Sequence, residues 1–213
     1  MSARSLPSSL LAVTDRHGPR PLGDTVAAVL DGGGRWIWFR EKDLPPRERR
    51  ALAERIAERV GRVGGVLSVG GDADLAADLG AGIHLGGGTD RTAVAAARQR
   101  VGHALVGVSA HTLRDVEAAA ENGADYVTLS PIFATASKPG YGPALGLGAI
   151  AAASRVGIPV IALGGIDAST AGACRDHGAA GIAVMGGLMR ATDPASEAQA
   201  LLHAWATGAV VPL

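Results

Sequence analysis

The stretch Val160-Ile161-Ala162-Leu163-Gly164-Gly165-Ile166-Asp167-Ala168-Ser169-Thr170 decides the fold. Its first four residues are apolar at every position, as a strand covered on both faces must be, and such strands belong to parallel sheets. Gly164-Gly165 turns the chain, and Asp167 before Ala168–Thr170 is a helix start signal. Working outward, the same order of aliphatic run, glycine-containing loop and alanine-rich segment recurs along the chain. The strand-like runs are Leu10–Thr14, Trp36–Phe39, Val66–Val69, Gly82–Leu85, Ala104–Val108, Tyr126–Ser130, Val160–Leu163 and Ile182–Met185. Helices are expected over about 22–30, 46–61, 73–79, 91–100, 112–122, 146–155, 168–177 and 195–206, with Pro45-Pro46 suited to the entry of the second and Thr112 to that of the fifth. Eight strand–helix units at a spacing of roughly 25 residues imply a parallel sheet, and eight in this length imply a single α/β domain over 1–213, a (β/α)8 TIM barrel. The competing open, doubly wound sheet lacks its Gly-x-Gly-x-x-Gly after the first strand, since Gly32-Gly33-Gly34 precedes the second strand instead. Only the tail from Gly208 to Leu213 reads as loose.

Composition narrows the function classes. The chain has 213 residues, 20 Lys+Arg against 20 Asp+Glu, 31 glycines, 47% apolar residues and only 3% aromatics. Zero net charge argues against a nucleic-acid face or a polybasic membrane surface but leaves room for a local cationic pocket. Cys174 is the single cysteine, so neither an internal disulfide nor a cysteine zinc site is available. No run approaches the length of a membrane span, the N-terminus has no signal-peptide pattern, and a cytoplasmic location is expected.

In such a barrel the loops after the strands build the site. Gly164-Gly165 and Gly186-Gly187 follow the seventh and eighth strands, where barrels bind phosphate through backbone N–H groups. The plainer reading is two tight turns. Arg40 and Lys42, delivered by the buried run Trp36–Phe39, together with Lys138 of the long loop 131–142, would hold a phosphate or carboxylate. Otherwise they are solvated surface charges. His111, just past the fifth strand, is a candidate proton carrier, or else a loop histidine bonded to backbone. His84 is a weaker candidate. The six histidines show no metal-ligand spacing, and no serine elbow, Walker loop or Cys-His pair is present. Trp36 and Trp38 alternate with Ile37 and read as core.

Several segments, in order, resemble the thiamine phosphate synthase/TenI-like thiazole tautomerase family: Leu11-Ala12-Val13-Thr14-Asp15, Phe39-Arg40-Glu41-Lys42, Gly82-Ile83-His84-Leu85-Gly86, Gly107-Val108-Ser109-Ala110-His111-Thr112, Ala124-Asp125-Tyr126-Val127, Pro131-Ile132-Phe133-Ala134-Thr135-Ala136-Ser137-Lys138, Ile161-Ala162-Leu163-Gly164-Gly165-Ile166 and Gly181-Ile182-Ala183-Val184-Met185. The resemblance implies a (β/α)8 barrel and a role in thiamine biosynthesis. It implies one of two chemistries. A synthase joins a pyrimidine methyl diphosphate to a thiazole phosphate with Mg²⁺. A tautomerase shifts a proton on a thiazole carboxylate phosphate until the ring is aromatic, without metal. At the positions of the synthase's acidic metal ligands this chain has Gly70-Gly71 and Thr89, with Asp72 and Asp90 one residue away, and Trp38 replaces the family's glutamine. The resemblance places the thiazole phosphate at Gly164, Gly165, Gly186 and Gly187, the tautomerase acid/base at His111, and the synthase's diphosphate contacts at Ser109, Thr135, Ser137 and Lys138. A tautomerase with no metal cofactor is therefore the expectation. A Mg²⁺-dependent synthase and a non-catalytic thiazole-phosphate binder are the alternatives, and a homodimer is expected from the resemblance alone.

Overall fold

The computed structural model describes residues 5–135 and 143–208. Eight parallel strands close in chain order: β1 Leu10–Val13, β2 Trp36–Phe39, β3 Val66–Gly70, β4 Gly82–Leu85, β5 Val106–Ala110, β6 Tyr126–Leu129, β7 Val160–Leu163 and β8 Gly181–Val184, with β8 pairing back onto β1. The helices are α1 Leu22–Asp31, α2 Pro46–Arg62, α3 Ala73–Asp78, α4 Arg91–Val101, α5 Leu113–Glu121, α6 Leu147–Ala153 with a 3₁₀ turn Ser154–Val156, α7 Ala168–Asp176, α8 Gly186–Met189 and α9 Pro194–Thr207. This is the expected (β/α)8 barrel.

Local chemistry explains the helix ends. Pro46 opens α2, whose buried residues Ala53, Ile56 and Val60 recur at helical spacing on one stripe. Thr112 and Asp115 form a reciprocal capping box on α5, and Asp167 with Thr170 does the same on α7. Alternation along the strands splits the interior in two. Ile37, Phe39, Val127, Leu129 and Ile182 face the helices, whereas Leu11, Val13, Trp36, Trp38, Tyr126, Ile161 and Ala183 fill the barrel lumen. Trp36 meets the edge of Tyr126 at 4.8 Å and 69°. The two rings share that lumen only because β5 has a glycine opposite them: a Cβ on Gly107 would stand 2.1 Å from Tyr126 Cζ.

One expectation needs correction. The fifth strand is Val106–Ala110, not Ala104–Val108, because Ser109 and Ala110 pair with Thr128 and Leu129 of β6. A serine and an alanine before a helix start read as loop, whereas pairing is what makes them strand. Gly186-Gly187 follow β8 as expected and open α8, a short helix. Of the expected tail, 209–213 lie outside the described residues.

Candidate active site

The mouth of the barrel at the strands' C-terminal ends holds a cavity of about 360 Å³. Its lining brings together Arg40, Lys42, Ser109, His111, Thr135, Gly164, Gly165, Gly186 and Gly187, which come from the C-terminal ends of five strands and the segments that follow them. Ser137 and Lys138 lie outside the described residues. Trp38, Gly86, Gly87 and Ser130 line the cavity as well.

The end of β2 is built to aim two cations inward. Glu41 turns away from the cavity and is buried, accepting a hydrogen bond from Thr14 Oγ1 at 2.7 Å and an ion pair from Arg16 at 3.4 Å. Thr14 Oγ1 also accepts from the Arg40 amide at 2.9 Å, and the Lys42 amide donates to the Arg40 carbonyl at 2.7 Å. Anchoring the middle residue in this way leaves Arg40 and Lys42 on the cavity wall. Around the rim, acidic groups already have arginine partners: Asp15 pairs with Arg190 at 3.0 Å, Asp43 with Arg16 at 2.7 Å, and Asp72 with Arg49 at 2.7 Å. The Arg16 guanidinium draws the Asp43 carboxyl down to about 2. No carboxylate lines the cavity among the described residues, and neither Arg40 nor Lys42 has an ion-pair partner there. Burial, with the charges of Arg40 and Arg49, lowers the Lys42 pKa below that of an ordinary lysine. The site is therefore cationic although the chain is neutral overall.

His111 is held from two sides. Its amide donates to Asp115 Oδ2 at 2.9 Å, tying it to the cap of α5. Its Nδ1 lies 2.8 Å from the Ser130 carbonyl. A carbonyl oxygen only accepts, so Nδ1 carries the proton and the neutral ring has its basic lone pair on Nε2. The ring faces Gly87, where a Cβ would come within 3.5 Å of Cδ2. His111 is bonded to backbone and lines the cavity at once.

The phosphate candidates behave similarly. Gly164 and Gly165 have φ of +99° and +66°, and a Cβ on Gly165 would stand 2.4 Å from the Ala134 carbonyl oxygen, so the turn itself demands glycine. The same two residues line the cavity beside Gly186-Gly187 at the start of α8, where the opening amides of a helix have no intrahelical acceptor.

The residues present do not fit a divalent cation. Gly70 and Gly71 offer no side-chain oxygen, and Lys42 Nζ occupies that place, 3.6 Å from where a Cβ of residue 71 would be. Asp72 caps α3, taking the Leu75 amide on Oδ1 and Arg49 on Oδ2, and Asp90 caps α4 by accepting from the Ala93 amide. Neither lines the cavity, and no cluster of three or more His, Cys, Asp or Glu suited to a metal occurs among the described residues.

Trp38, which stands where the resemblance has a glutamine, packs in the core and also lines the cavity, with its ring 3.8 Å from that of His84. Reading the sequence missed two further residues. Ser130 carries the carbonyl that sets the His111 tautomer. Arg49 staples the ends of β2 and β3, donating to the Glu41 and Gly70 carbonyls at 3.0 and 2.7 Å. Arg49 sits in the charged run Arg47-Glu48-Arg49-Arg50, and only its helical phase toward Phe39 (5.9 Å) distinguishes it.

No described helix is long and apolar enough to cross a membrane. A sequence profile of the family described as "Thiamine monophosphate synthase" matches residues 10–188. The chain is 39% identical over 199 residues to a putative thiamine-phosphate synthase of Geobacter sulfurreducens, covering 91% of this chain and 92% of that one. It is 36% identical over 194 residues to a thiamine-phosphate synthase of Roseiflexus sp., covering 89% and 81%. Among solved structures it resembles a thiamine phosphate pyrophosphorylase from Pyrococcus furiosus with a TM-score of 0.83 at 26% identity, covering 93% of this chain and 95% of that one. Barrel, cavity and sequence agree: this chain belongs to the thiamine monophosphate synthase family.

Proposed function

We propose that this member of the family is a metal-independent thiazole tautomerase. The observation that carries the reading is the cavity's charge: among the described residues it has two cations without ion-pair partners, backbone amides and one oriented imidazole, and no lining carboxylate to hold a metal. The substrate's phosphate rests on the amides of Gly164, Gly165, Gly186 and Gly187. Its carboxylate meets Arg40 and Lys42, and Ser109 and Thr135 complete the oxyanion contacts. His111 Nε2 takes a proton from the ring carbon as base, and the resulting imidazolium returns one to the receiving atom. One bond to hydrogen breaks and one forms, so no oxidant or leaving group is required. Proton transfer by a positioned histidine contributes about 10²–10⁴-fold.

The names of the relatives, thiamine-phosphate synthase at 36–39% identity, favour a second reading, in which the same cavity condenses a pyrimidine methyl diphosphate with a thiazole phosphate. Diphosphate departure then needs charge neutralisation, for which the cavity offers Arg40 and Lys42 among the described residues.

One experiment separates them. The purified protein is given the thiazole carboxylate phosphate, and ring aromatisation is followed by absorbance. In parallel it is given thiazole phosphate, the pyrimidine methyl diphosphate and Mg²⁺, with a known synthase as control. Aromatisation that falls at least about 100-fold in His111→Ala, while thiazole phosphate still binds, supports the tautomerase. Thiamine phosphate formation stopped by EDTA overturns it in favour of the synthase. Binding with neither product indicates a non-catalytic binder.

A further inference from the structure

Beneath the cavity floor, the barrel lumen contains a buried polar chain that the proposed reaction does not use. Trp36, Ser68, His84, Tyr126 and Thr128 are all fully buried. Trp36 Nε1 donates to Ser68 Oγ at 3.0 Å. The Tyr126 hydroxyl lies 3.0 Å from His84 Nδ1. His84 Nε2 lies 3.1 Å from Ser109 Oγ and 3.3 Å from Thr128 Oγ1. Ser109 alone among them reaches the cavity wall.

We propose that this chain runs in one direction, from the Trp36 indole to Ser109, and holds the Ser109 hydroxyl as a proton donor aimed into the cavity. His84 is then a positioning residue for the bound anion. The direction follows from counting protons. An indole N–H can only donate, so Ser68 accepts there. Ser68 also borders the Tyr126 phenol, and the direction we assign turns the Ser68 proton toward it. The single phenol proton is left for His84 Nδ1. Burial and the nearby Lys42 charge keep His84 neutral, with its pKa pulled down to about 3, so one ring nitrogen accepts and the other donates. With Nδ1 accepting, Nε2 carries the hydrogen and gives it to Ser109 Oγ. Ser109's own proton then turns to the ligand. The opposite polarity would make Ser109 present lone pairs to a bound anion, whereas with the hydrogen on Nε2 Thr128 Oγ1, 3.3 Å away, is its second acceptor. Trp38 lies over His84 at 3.8 Å and seals the chain from the cavity.

The inference concerns anion binding. It holds for either chemistry of the site and can be tested without turnover. Nitrogen-detected long-range correlation spectra of the intact protein labelled with ¹⁵N-histidine report the His84 tautomer directly. The expected result is a neutral ring protonated at Nε2 from pH 5 to 8. Protonation at Nδ1 overturns the proposal whatever the enzyme does. A binding cycle with inorganic diphosphate as probe follows. Tyr126→Phe, which preserves the ring's shape, and Ser109→Ala are each expected to weaken binding by about three- to tenfold, and the double variant no more than Ser109→Ala alone. Effects that multiply, or a Tyr126→Phe variant with unchanged affinity beside a weakened Ser109→Ala, also overturn it. If wild-type protein does not bind diphosphate, the anion-site reading fails, and the tautomer still decides the direction of the chain.

Discussion

Replacing Gly107 with alanine adds one methyl group at the most crowded point of the lumen. The added Cβ would lie 2.1 Å from Tyr126 Cζ and 2.5 Å from both Cε1 and the phenol oxygen. Carbon atoms settle at about 3.5–4.0 Å, so the ring must retreat by well over 1 Å. It has nowhere to go. Tyr126 is fully buried, stacked edge-on against Trp36 at 4.8 Å, and bonded to His84 at 3.0 Å. Gly107 and Tyr126 are also register partners of β5 and β6, so backbone relief would open the barrel seam. Overpacking costs about 1–3 kcal/mol, and loss of a buried hydrogen bond adds about 1–2 kcal/mol. The total is about 2–5 kcal/mol. For a chain of this length each kcal/mol shifts Tm by about 2–4 °C, so thermal unfolding followed by circular dichroism should fall by about 4–20 °C. The steric cause makes a second demand: Tyr126→Leu, itself destabilising, should recover much of the loss when combined with Gly107→Ala. A Gly107→Ala variant melting within about 1 °C of wild type, or a double variant whose losses simply add, would refute the reasoning.

Lys42 bears on pH dependence. Its pKa is lowered by burial and by Arg40 and Arg49, so its positive charge is lost at a lower pH than for a free lysine. Affinity for the thiazole carboxylate phosphate should therefore decline as pH rises through a value below 10.5. Lys42→Met should weaken binding by about tenfold or more near neutrality and abolish that alkaline decline. An identical decline in the variant, measured by titration calorimetry, would exclude Lys42 as its source. Asp115 bears on stability. Burial pushes its carboxyl pKa up, but the donors of His111 and Thr112 outweigh this and hold it below the ordinary value. Its folded pKa being depressed, its contribution is present above about pH 4 and is lost as pH falls through the folded value. Removing a cap costs about 1 kcal/mol, so Asp115→Ala should melt about 2–4 °C lower at pH 7. The gap should close toward pH 3, and a gap of constant size would rule out the capping carboxylate as its origin.

Much of the architecture was legible from short-range information. Eight aliphatic runs with glycine loops and capped, alanine-rich segments specify eight parallel units, because a strand apolar on both faces must be covered on both. The positions of Arg40, Lys42, His111 and the glycine pairs also followed, since anything just past a barrel strand reaches the mouth. The same logic failed at Ser109, where residues of loop composition are strand by virtue of pairing with β6.

What the sequence determined by itself was the repeat, the closure into a barrel and the end of that barrel where chemistry occurs, because these depend on patterns of apolar and turn residues within single units. The tertiary structure alone decided how the side chains of different units meet. It showed that Glu41 is drawn away beneath Thr14 and Arg16 while its neighbours point inward, and that Arg49 reaches Asp72 and the end of β3. It showed that the Ser130 carbonyl chooses the tautomer of His111, and that His84 and Tyr126 reach Ser109 across the lumen. Such contacts join residues tens of positions apart, and no local pattern encodes a distance across a closed barrel.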